Sequence, residues 1–321
     1  MTDPHRVAIL DLGTNTFNLL VGEYPLWESG WGIKRVFTDR VSVKLGKEKI
    51  GKRVIAGEAK KRGVNALEKL LRSARSWEPH EIIAMGTSGI RSAENGDLFL
   101  QEIREYTGIT PAIIDGEREA ELIAEGVRAA LPLEKENSLI LDIGGGSSEF
   151  LIANDQRTHW KKSFEIGAAR LLDEIAPSDP ITEQEYHEVR RRTEEMMGPI
   201  LEPLRDHPTQ TLIGSSGSFE SISDMAYYRY PDAASPEGKS AVEVSLSHFR
   251  EIHQSLLNAD MKERLEIKGL ADIRAEMIVL GSIFIETVIE MAGIERLFTS
   301  YYSLREGVLM ESARQNRKKA Q

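Results

Sequence analysis

Asp11-Leu12-Gly13-Thr14-Asn15-Thr16 and Asp142-Ile143-Gly144-Gly145-Gly146-Ser147-Ser148-Glu149 each join an acid, a glycine turn and small hydroxyl residues. Glycine lacks a Cβ and lets backbone N–H groups crowd around an anion, while the aspartate opening the turn can hold a cation or its water. That is the chemistry of a phosphate with magnesium. Gly86-Thr87-Ser88-Gly89 and Gly214-Ser215-Ser216-Gly217 form a second pair. They follow the apolar runs 81–85 and 211–213 and read as strand, small polar loop and helix start, where free N–H donors and the helix dipole favour an anion.

The elements needed to position these turns follow from their flanks. Asp11 and Asp142 sit between short apolar runs, Val7 to Leu10 then Phe17 to Val21, and Leu139 to Leu141 then Phe150 to Ala153, so each turn joins two strands. The two Asp turns lie 131 residues apart and the two Gly-Ser loops 128 apart. Features recurring at nearly one spacing predict a duplicated domain, with equivalent loops facing each other across a cleft.

Residues 7–45 alternate apolar and polar and predict three antiparallel strands, with turns at Gly13 and Gly30. A helix over 58–76, strand 81–85, helix 91–106, strand 111–114 and helix 117–130 complete an α/β unit. The pattern restarts with a strand at 139–141. A charged helix begins near Thr182, an N-cap with Glu185 three residues on. Strand 211–213, an exposed Pro, Gly, Ala and Ser rich excursion over 230–240, and helices 246–257, 271–292 and 304–316 follow, the second apolar enough to be buried.

Composition bounds the class. A chain of 321 residues predicts two domains, each able to bury a core. The absence of cysteine excludes disulfides, thiolate metal sites and a cysteine nucleophile. No apolar leader and no span-length apolar stretch is present, which places the chain in the cytoplasm as an expectation. The net charge of −10 argues against non-specific nucleic-acid binding. Yet 33–62 holds eleven Lys or Arg against Asp39, Glu48 and Glu58, a local +8 that is either a solvated face or a field drawing a polyanion.

Other motifs fail. Gly46-Lys47-Glu48-Lys49-Ile50-Gly51-Lys52-Arg53 approaches the P-loop pattern, but Arg53 stands where a Mg²⁺-ligating Ser or Thr is required. No GxGxxG follows a strand, and the seven histidines lack the i, i+4 spacing of a helical zinc site. Asp115-Gly116-Glu117-Arg118-Glu119-Ala120-Glu121 puts acids at a helix start, where a favourable dipole interaction explains them by itself. Glu149, directly after an anion-binding turn, is placed either to touch the bound group or simply on an exposed strand.

Asp-Leu-Gly-Thr-Asn-Thr at 11–16, Gly-Thr-Ser-Gly-Ile-Arg-Ser-Ala-Glu-Asn at 86–95, Gly-Glu-Arg-Glu-Ala at 116–120, Asp-Ile-Gly-Gly-Gly-Ser-Ser-Glu at 142–149, Gly-Ser-Ser-Gly-Ser at 214–218 and Leu-Arg-Glu-Gly-Val-Leu at 304–309 occur in this order. Together they resemble the exopolyphosphatase and guanosine pentaphosphate phosphohydrolase family, in a short form without a C-terminal HD-type domain. The resemblance implies an α/β fold of two duplicated actin-like (ASKHA, ribonuclease H-like) domains with the active site in the cleft between them. The domains expected are 1–127, with the helix 304–321 packing back on it, and 128–303. The resemblance further implies Mg²⁺-dependent release of terminal phosphate from polyphosphate, or of the 5′ phosphate from pppGpp, by a homodimer needing neither nucleic acid nor membrane. It assigns the catalytic glutamate to Glu119, a second essential glutamate to Glu149, a phosphate-contacting arginine to Arg91 and the metal to Asp142, with Asp11 as a second candidate. Phosphate binding falls on Gly13, Thr14, Asn15, Thr16, Gly144, Gly145, Gly146, Ser147, Ser148, Gly214, Ser215, Ser216 and Gly217.

The chain departs from the family pattern at two places. Tyr302-Ser303 stands where Asp-Gly or a similar small pair commonly precedes Leu-Arg-Glu-Gly, and Glu237-Gly238 where His-Gly is usual. Both are expected to lie away from the catalytic carboxylates and to bear on substrate range more than on chemistry. A sugar kinase of the same superfold would need a sugar site, which nothing marks. A non-catalytic sensor would keep the loops and lose the carboxylates, whereas Glu119, Asp142 and Glu149 remain.

Overall fold

The computed structural model describes residues 4–25, 32–46 and 54–320. The chain divides into two compact units, residues 1–129 with 304–321, and residues 130–303.

In the first unit the apolar alternation of the N-terminal segment becomes β1 (His5–Leu12), β2 (Thr16–Tyr24) and β3 (Lys34–Ser42). Then come α1 (Gly57–Arg75), β4 (Glu81–Gly86), α2 (Ser88–Arg91), α3 (Gly96–Thr107), β5 (Ala112–Ile113) and α4 (Gly116–Ala130). The sheet order is β3-β2-β1-β4-β5, with β1, β4 and β5 parallel. α1 packs on this sheet because Leu67, Leu70, Leu71 and Ala74 fall on one helical face and are all buried.

The second unit begins with β6 (Asn137–Ile143), β7 (Ser148–Ala153) and β8 (Thr158–Phe164). Helices α5 (Ala168–Ile175), α6 (Glu183–Met197) and α7 (Leu201–Asp206) precede β9 (Thr209–Ser215). Then follow α8 (Gly217–Arg229), β10 (Ala241–Val244), α9 (Leu246–Asn258), α10 (Met261–Leu265), α11 (Ile278–Ala292) and β11 (Arg296–Ser300). The order β10-β11-β9-β6-β7-β8 repeats the first sheet strand for strand, with β10 added at one edge. α11 is buried without a break from Ile278 to Ile289, so the apolar run seen in the sequence is the centre of this unit's core. The final helix, α12 (Leu304–Ala320), belongs to the first unit and packs on β1 and β2. No helix among the described residues is long and apolar enough to cross a membrane.

Register makes the duplication concrete. Asp11 pairs with Asn18 across β1 and β2, and Asp142 with Glu149 across β6 and β7, in each case seven residues on. The Gly-Ser loops are not so aligned. Gly86 pairs with Leu12, whereas Gly214 pairs with Leu141, the counterpart of Leu10 two residues earlier.

Other expectations need adjustment. The helix expected over 91–106 is two helices, because Asn95 turns its side chain to the backbone of Ile55, donating to its C=O and accepting from its N–H at 2.9 Å each. The strand at 111–114 shrinks to two residues after Pro111, which has no N–H for a ladder. The helix at 271–292 begins only at Ile278, after a 3₁₀ turn at Asp272–Arg274. At α6 the capping box forms as read, Thr182 and Glu185 each satisfying the other's backbone. The turn at Gly30 lies outside the described residues.

Candidate active site

In the first unit the turn after Asp11 closes with Gly13 N–H donating to Thr16 C=O at 3.2 Å. Its outward carbonyls are consumed: Asn15 C=O accepts from Val43 and Lys44 N–H at 2.9 and 3.0 Å, and Thr14 C=O from Leu45 N–H at 2.9 Å. With the carbonyls turned to this segment, the N–H groups of Thr14 and Asn15 have no backbone acceptor among the described residues. The side-chain nitrogen of Asn15 is also buried without a partner, in a residue 8% exposed. A buried donor left unmade costs about 1–3 kcal/mol, so such a cluster fits a turn that takes an anion. The loop at 86–89 lies against it, since any side chain at Gly89 would meet Thr14 Cα and Oγ1 at 2.7 Å.

Glu119 stands on the first turn of α4, where Asp115 fixes the helix start by accepting the Arg118 N–H at 2.8 Å. The dipole alone does not account for it. Glu117 and Glu121 are exposed, but Glu119 is buried and accepts from Arg91 Nη1 at 2.8 Å. The same Arg91 nitrogen donates to the C=O of Ile114 at 3.0 Å. Two sequence candidates 28 residues apart thus form one buried ion pair, carried by the short helix after β4 and the first turn of α4.

In the second unit Gly144 N–H donates to Ser147 C=O at 3.0 Å, reproducing the first turn. Here the start of α5 takes up the carbonyls: Ala168 N–H bonds Gly144, and Ala169 and Arg170 N–H bond Gly145, all at 3.0 Å. Gly145, Gly146 and Ser147 N–H are left without a backbone acceptor among the described residues. Gly167 permits this approach, because a Cβ there would lie 2.6 Å from Gly144 O. Ser148 serves the scaffold, its hydroxyl donating to Ile166 C=O at 2.6 Å.

Sheet pairing then lays a polar row across five strands: Ser300, Ser215, Asp142, Glu149 and Ser163 on β11, β9, β6, β7 and β8. The row lies where β6, β9 and β11 end, the carboxyl edge at which open α/β sheets bind ligands. Both acids are buried. Asp142 accepts from Ser215 at 2.6 Å, from Ser216 at 2.7 and 2.8 Å, and from Ser303 at 2.5 Å. Glu149 accepts from Ser163 at 2.7 Å. Ser216 delivers its hydroxyl from φ 70° and ψ 179°, a conformation open essentially to glycine alone and stored at functional sites.

Two carboxylates directly opposite on neighbouring strands have Cβ atoms about 5 Å apart. The pair suits a cation held through one or two acids plus the oxygens of a bound phosphate, which is how Mg²⁺ is usually kept. No cluster of three or more metal-ligating side chains forms among the described residues, so an all-protein cage is not the pattern here. Asp11 fits a metal less well. Its counterpart of Glu149 is Asn18, whose amide donates to Asp11 at 3.0 Å.

Two features escaped the sequence. Ser303, expected to lie away from the catalytic carboxylates, instead donates to Asp142, because the chain between β11 and α12 passes the end of β6; and the guanidinium of Arg274 fills the space over Gly217 that any larger residue would need. Neither has a local signal, since both reach the site from segments far along the chain. The +8 segment is also less bare than its count. Arg35 pairs with buried Glu306, Lys60 with Glu102 and Lys61 with Glu58, while Arg62 donates to the carbonyls of Val43 and Lys44. Lys47, Lys49, Lys52 and Arg53 lie outside the described residues.

Comparison with known proteins gives a consistent picture. The model of the Ppx/GppA phosphatase family matches residues 28–316. A guanosine-5′-triphosphate,3′-diphosphate pyrophosphatase of Aliivibrio fischeri (strain MJ11) is 24% identical over 307 residues, an alignment taking in 96% of this chain. The chain spans 59% of that relative's length. The crystal structure of an exopolyphosphatase from Cytophaga hutchinsonii superposes with a TM-score of 0.91 at 33% identity, covering 97% of this chain and 98% of that one. The Aquifex aeolicus member of the Ppx/GppA family shares the fold, with a TM-score of 0.79 at 20% identity over 98% and 99% of the two chains. The architecture is that of two duplicated actin-like α/β units.

Proposed function

The chain belongs to the Ppx/GppA phosphatase family, and on that premise we propose that it releases terminal phosphate from inorganic polyphosphate with a divalent cation, Mg²⁺, as cofactor. The observation that carries the chemistry is the buried row at the end of the second sheet, two adjacent acids ringed by hydroxyl donors beside a glycine turn with outward N–H groups.

Phosphoryl transfer to water needs positioning, charge neutralisation and an oriented water more than covalent help. In the first unit Glu119 is the base, accepting a proton from the attacking water, and Arg91 both orients that carboxylate and meets charge on the transferred group. The Thr14 and Asn15 amides bind phosphoryl oxygens there. In the second unit the turn 144–147 does the same, and Asp142 and Glu149 are the residues to hold Mg²⁺. When bound, the ion neutralises charge on the phosphate oxygens. Ser215, Ser216 and Ser303 fix the Asp142 carboxylate so that it needs no reorganisation on binding.

Polyphosphate is favoured as substrate by the end-to-end likeness, at 33% identity, to a protein described as an exopolyphosphatase. The name of the Aliivibrio relative favours a second reading, hydrolysis of guanosine pentaphosphate. Phosphate release measured side by side with polyphosphate, pppGpp and ATP, with and without Mg²⁺, decides between them. The highest kcat/KM is expected with polyphosphate. A higher value with pppGpp reverses the assignment, and no Mg²⁺-dependent release from any of the three overturns the reading.

A further inference from the structure

The distances around Asp142 show how its two oxygens are shared among three hydroxyls. Ser215 Oγ lies 2.6 Å and Ser303 Oγ 2.5 Å from Oδ2. Ser216 Oγ lies 2.7 Å from Oδ2 and 2.8 Å from Oδ1. A carboxylate offers about two lone-pair sites on each oxygen, so Ser215 and Ser303 fill Oδ2. An atom almost equidistant from both oxygens stands where a cation chelated by both would stand. Ser216 therefore occupies the chelating position itself. No other donor reaches this carboxylate among the described residues, which leaves Oδ1 as the oxygen still open to a cation.

The backbone holds these donors in place. Ser216 brings its hydroxyl from φ 70° and ψ 179°, where glycine would sit without strain but would carry no hydroxyl. Ser303 arrives on a segment pinned to the second unit. Ser300 Oγ donates to Tyr302 C=O at 2.6 Å and accepts from Tyr302 N–H at 3.3 Å. Tyr301 N–H donates to Ser240 C=O at 2.8 Å, and its hydroxyl lies 3.0 Å from Ser223 Oγ and from Asp224 Oδ1. Hydroxyls held this firmly do not cancel the charge of Asp142. They restrict the direction in which it can be used.

We propose that Ser216 is a positioning residue that selects the cation: its hydroxyl closes the chelating position, and with Ser215 and Ser303 anchoring Oδ2 it limits Asp142 to one bond through Oδ1. Mg²⁺ takes an octahedral shell, uses one or two carboxylates and keeps its waters, whereas Ca²⁺ takes about six to eight oxygens and accepts both oxygens of a carboxylate. A carboxylate confined to a single-oxygen bond suits Mg²⁺ and denies Ca²⁺ a ligand. The inference rests on the reading of Asp142 and Glu149 as the cation site and deepens it by naming what sets the choice of ion.

The test reads metal binding without turnover in the full chain, following bound Mn²⁺ by electron paramagnetic resonance as Mg²⁺ or Ca²⁺ displaces it. Asp142→Asn defines which bound Mn²⁺ belongs to this site. In the parent, Mg²⁺ is expected to displace that ion at a lower concentration than Ca²⁺ does. Ser216→Gly suits the backbone at this position, while Ser216→Ala keeps the strain and loses the same hydroxyl. In both variants the ratio of Ca²⁺ to Mg²⁺ affinity is expected to rise about tenfold, the scale on which removing a partner of a metal ligand acts. A merely structural role for Ser216 would separate the two variants. A shift in one variant only, a ratio within twofold of the parent in both, or a parent that takes Ca²⁺ as readily as Mg²⁺ would overturn the inference and leave the cation site standing. Mn²⁺ binding unchanged by Asp142→Asn would overturn the cation site and this inference together.

Discussion

Removing either partner of the Arg91–Glu119 pair has consequences that differ in size and kind. Their side chains are 16% and 9% exposed and meet at 2.8 Å. Arg91→Met strands a buried carboxylate, and breaking a buried pair from one side costs about 3–5 kcal/mol. Glu119→Gln keeps an amide oxygen at the same place to accept from Nη1, and Arg91 retains its bond to Ile114 C=O, so the cost falls to about 1–2 kcal/mol. For a unit of roughly 150 residues, each kcal/mol is about 2–4 °C, which puts the melting temperature of Arg91→Met about 10 °C below the parent and that of Glu119→Gln only a few degrees below. Catalysis orders them differently. Glu119→Gln is expected to lose about 10²-fold or more in kcat with little change in KM, whereas Arg91→Met is expected to lose in both, because in the proposed mechanism Arg91 also meets the phosphoryl group. The double variant should melt above Arg91→Met, because the second change removes the stranded charge. Calorimetric melts and phosphate release from polyphosphate read all of this. Near-parental turnover in Glu119→Gln would move the base elsewhere, to Glu149 first. An Arg91→Met variant as stable as Glu119→Gln would show that the pair is not a desolvated one.

At Ser216, glycine and alanine should separate strain from chemistry. Both lose the hydroxyl on Asp142 and with it activity at limiting Mg²⁺, but Ser216→Gly is expected to be about 1–3 kcal/mol more stable than Ser216→Ala, and equal melting temperatures would contradict the strain. His253 is buried, with Nδ1 2.9 Å from Ser282 Oγ, and burial lowers its pKa from 6.5 to about 4, against a weaker raising effect of Glu290. Its neutral form is what the fold favours, so its contribution is whole above pH 6.5 and is lost as pH falls towards 4, by about 3 kcal/mol in all. His253→Gln should flatten chemical-denaturation stability over that window, and an unchanged pH dependence would refute the assignment.

Periodicity made the sheets and their repetition legible. The apolar runs on either side of the Asp11 and Asp142 turns are local patterns, and they became β1–β2 and β6–β7 in matching register. The buried helix α11 and the α6 cap were local as well. What failed was decided at a distance. Asn95 breaks the helix expected over 91–106 through Ile55, 40 residues away, and the Ser303 bond to Asp142 spans 161. Glu119 looked like a dipole-stabilising surface acid because helix-start position says nothing about burial, and only the packing of Arg91 against it supplied that. The charge count of 33–62 was incomplete for the same reason, since Glu102 and Glu306, which pair with Lys60 and Arg35, come from other elements.

The two copies of the hairpin also explain why one unit carries the candidate metal acids. A carboxylate can accept but not donate, so a buried acid needs donors or a cation. At Asp11, which is only half-buried, the neighbour across the ladder is an amide, and its N–H donates to the carboxylate at 3.0 Å within the strand pair itself. At Asp142 the same neighbour is Glu149, another acceptor. The second unit meets that demand with hydroxyls drawn from β8, β9, the start of α8 and the residue just before α12. Neutral hydroxyls orient two charges without cancelling either. The difference of Glu for Asn at one position of a repeated hairpin thus separates a pair with an internal donor from a pair of acceptors, the one proposed above to hold the divalent cation.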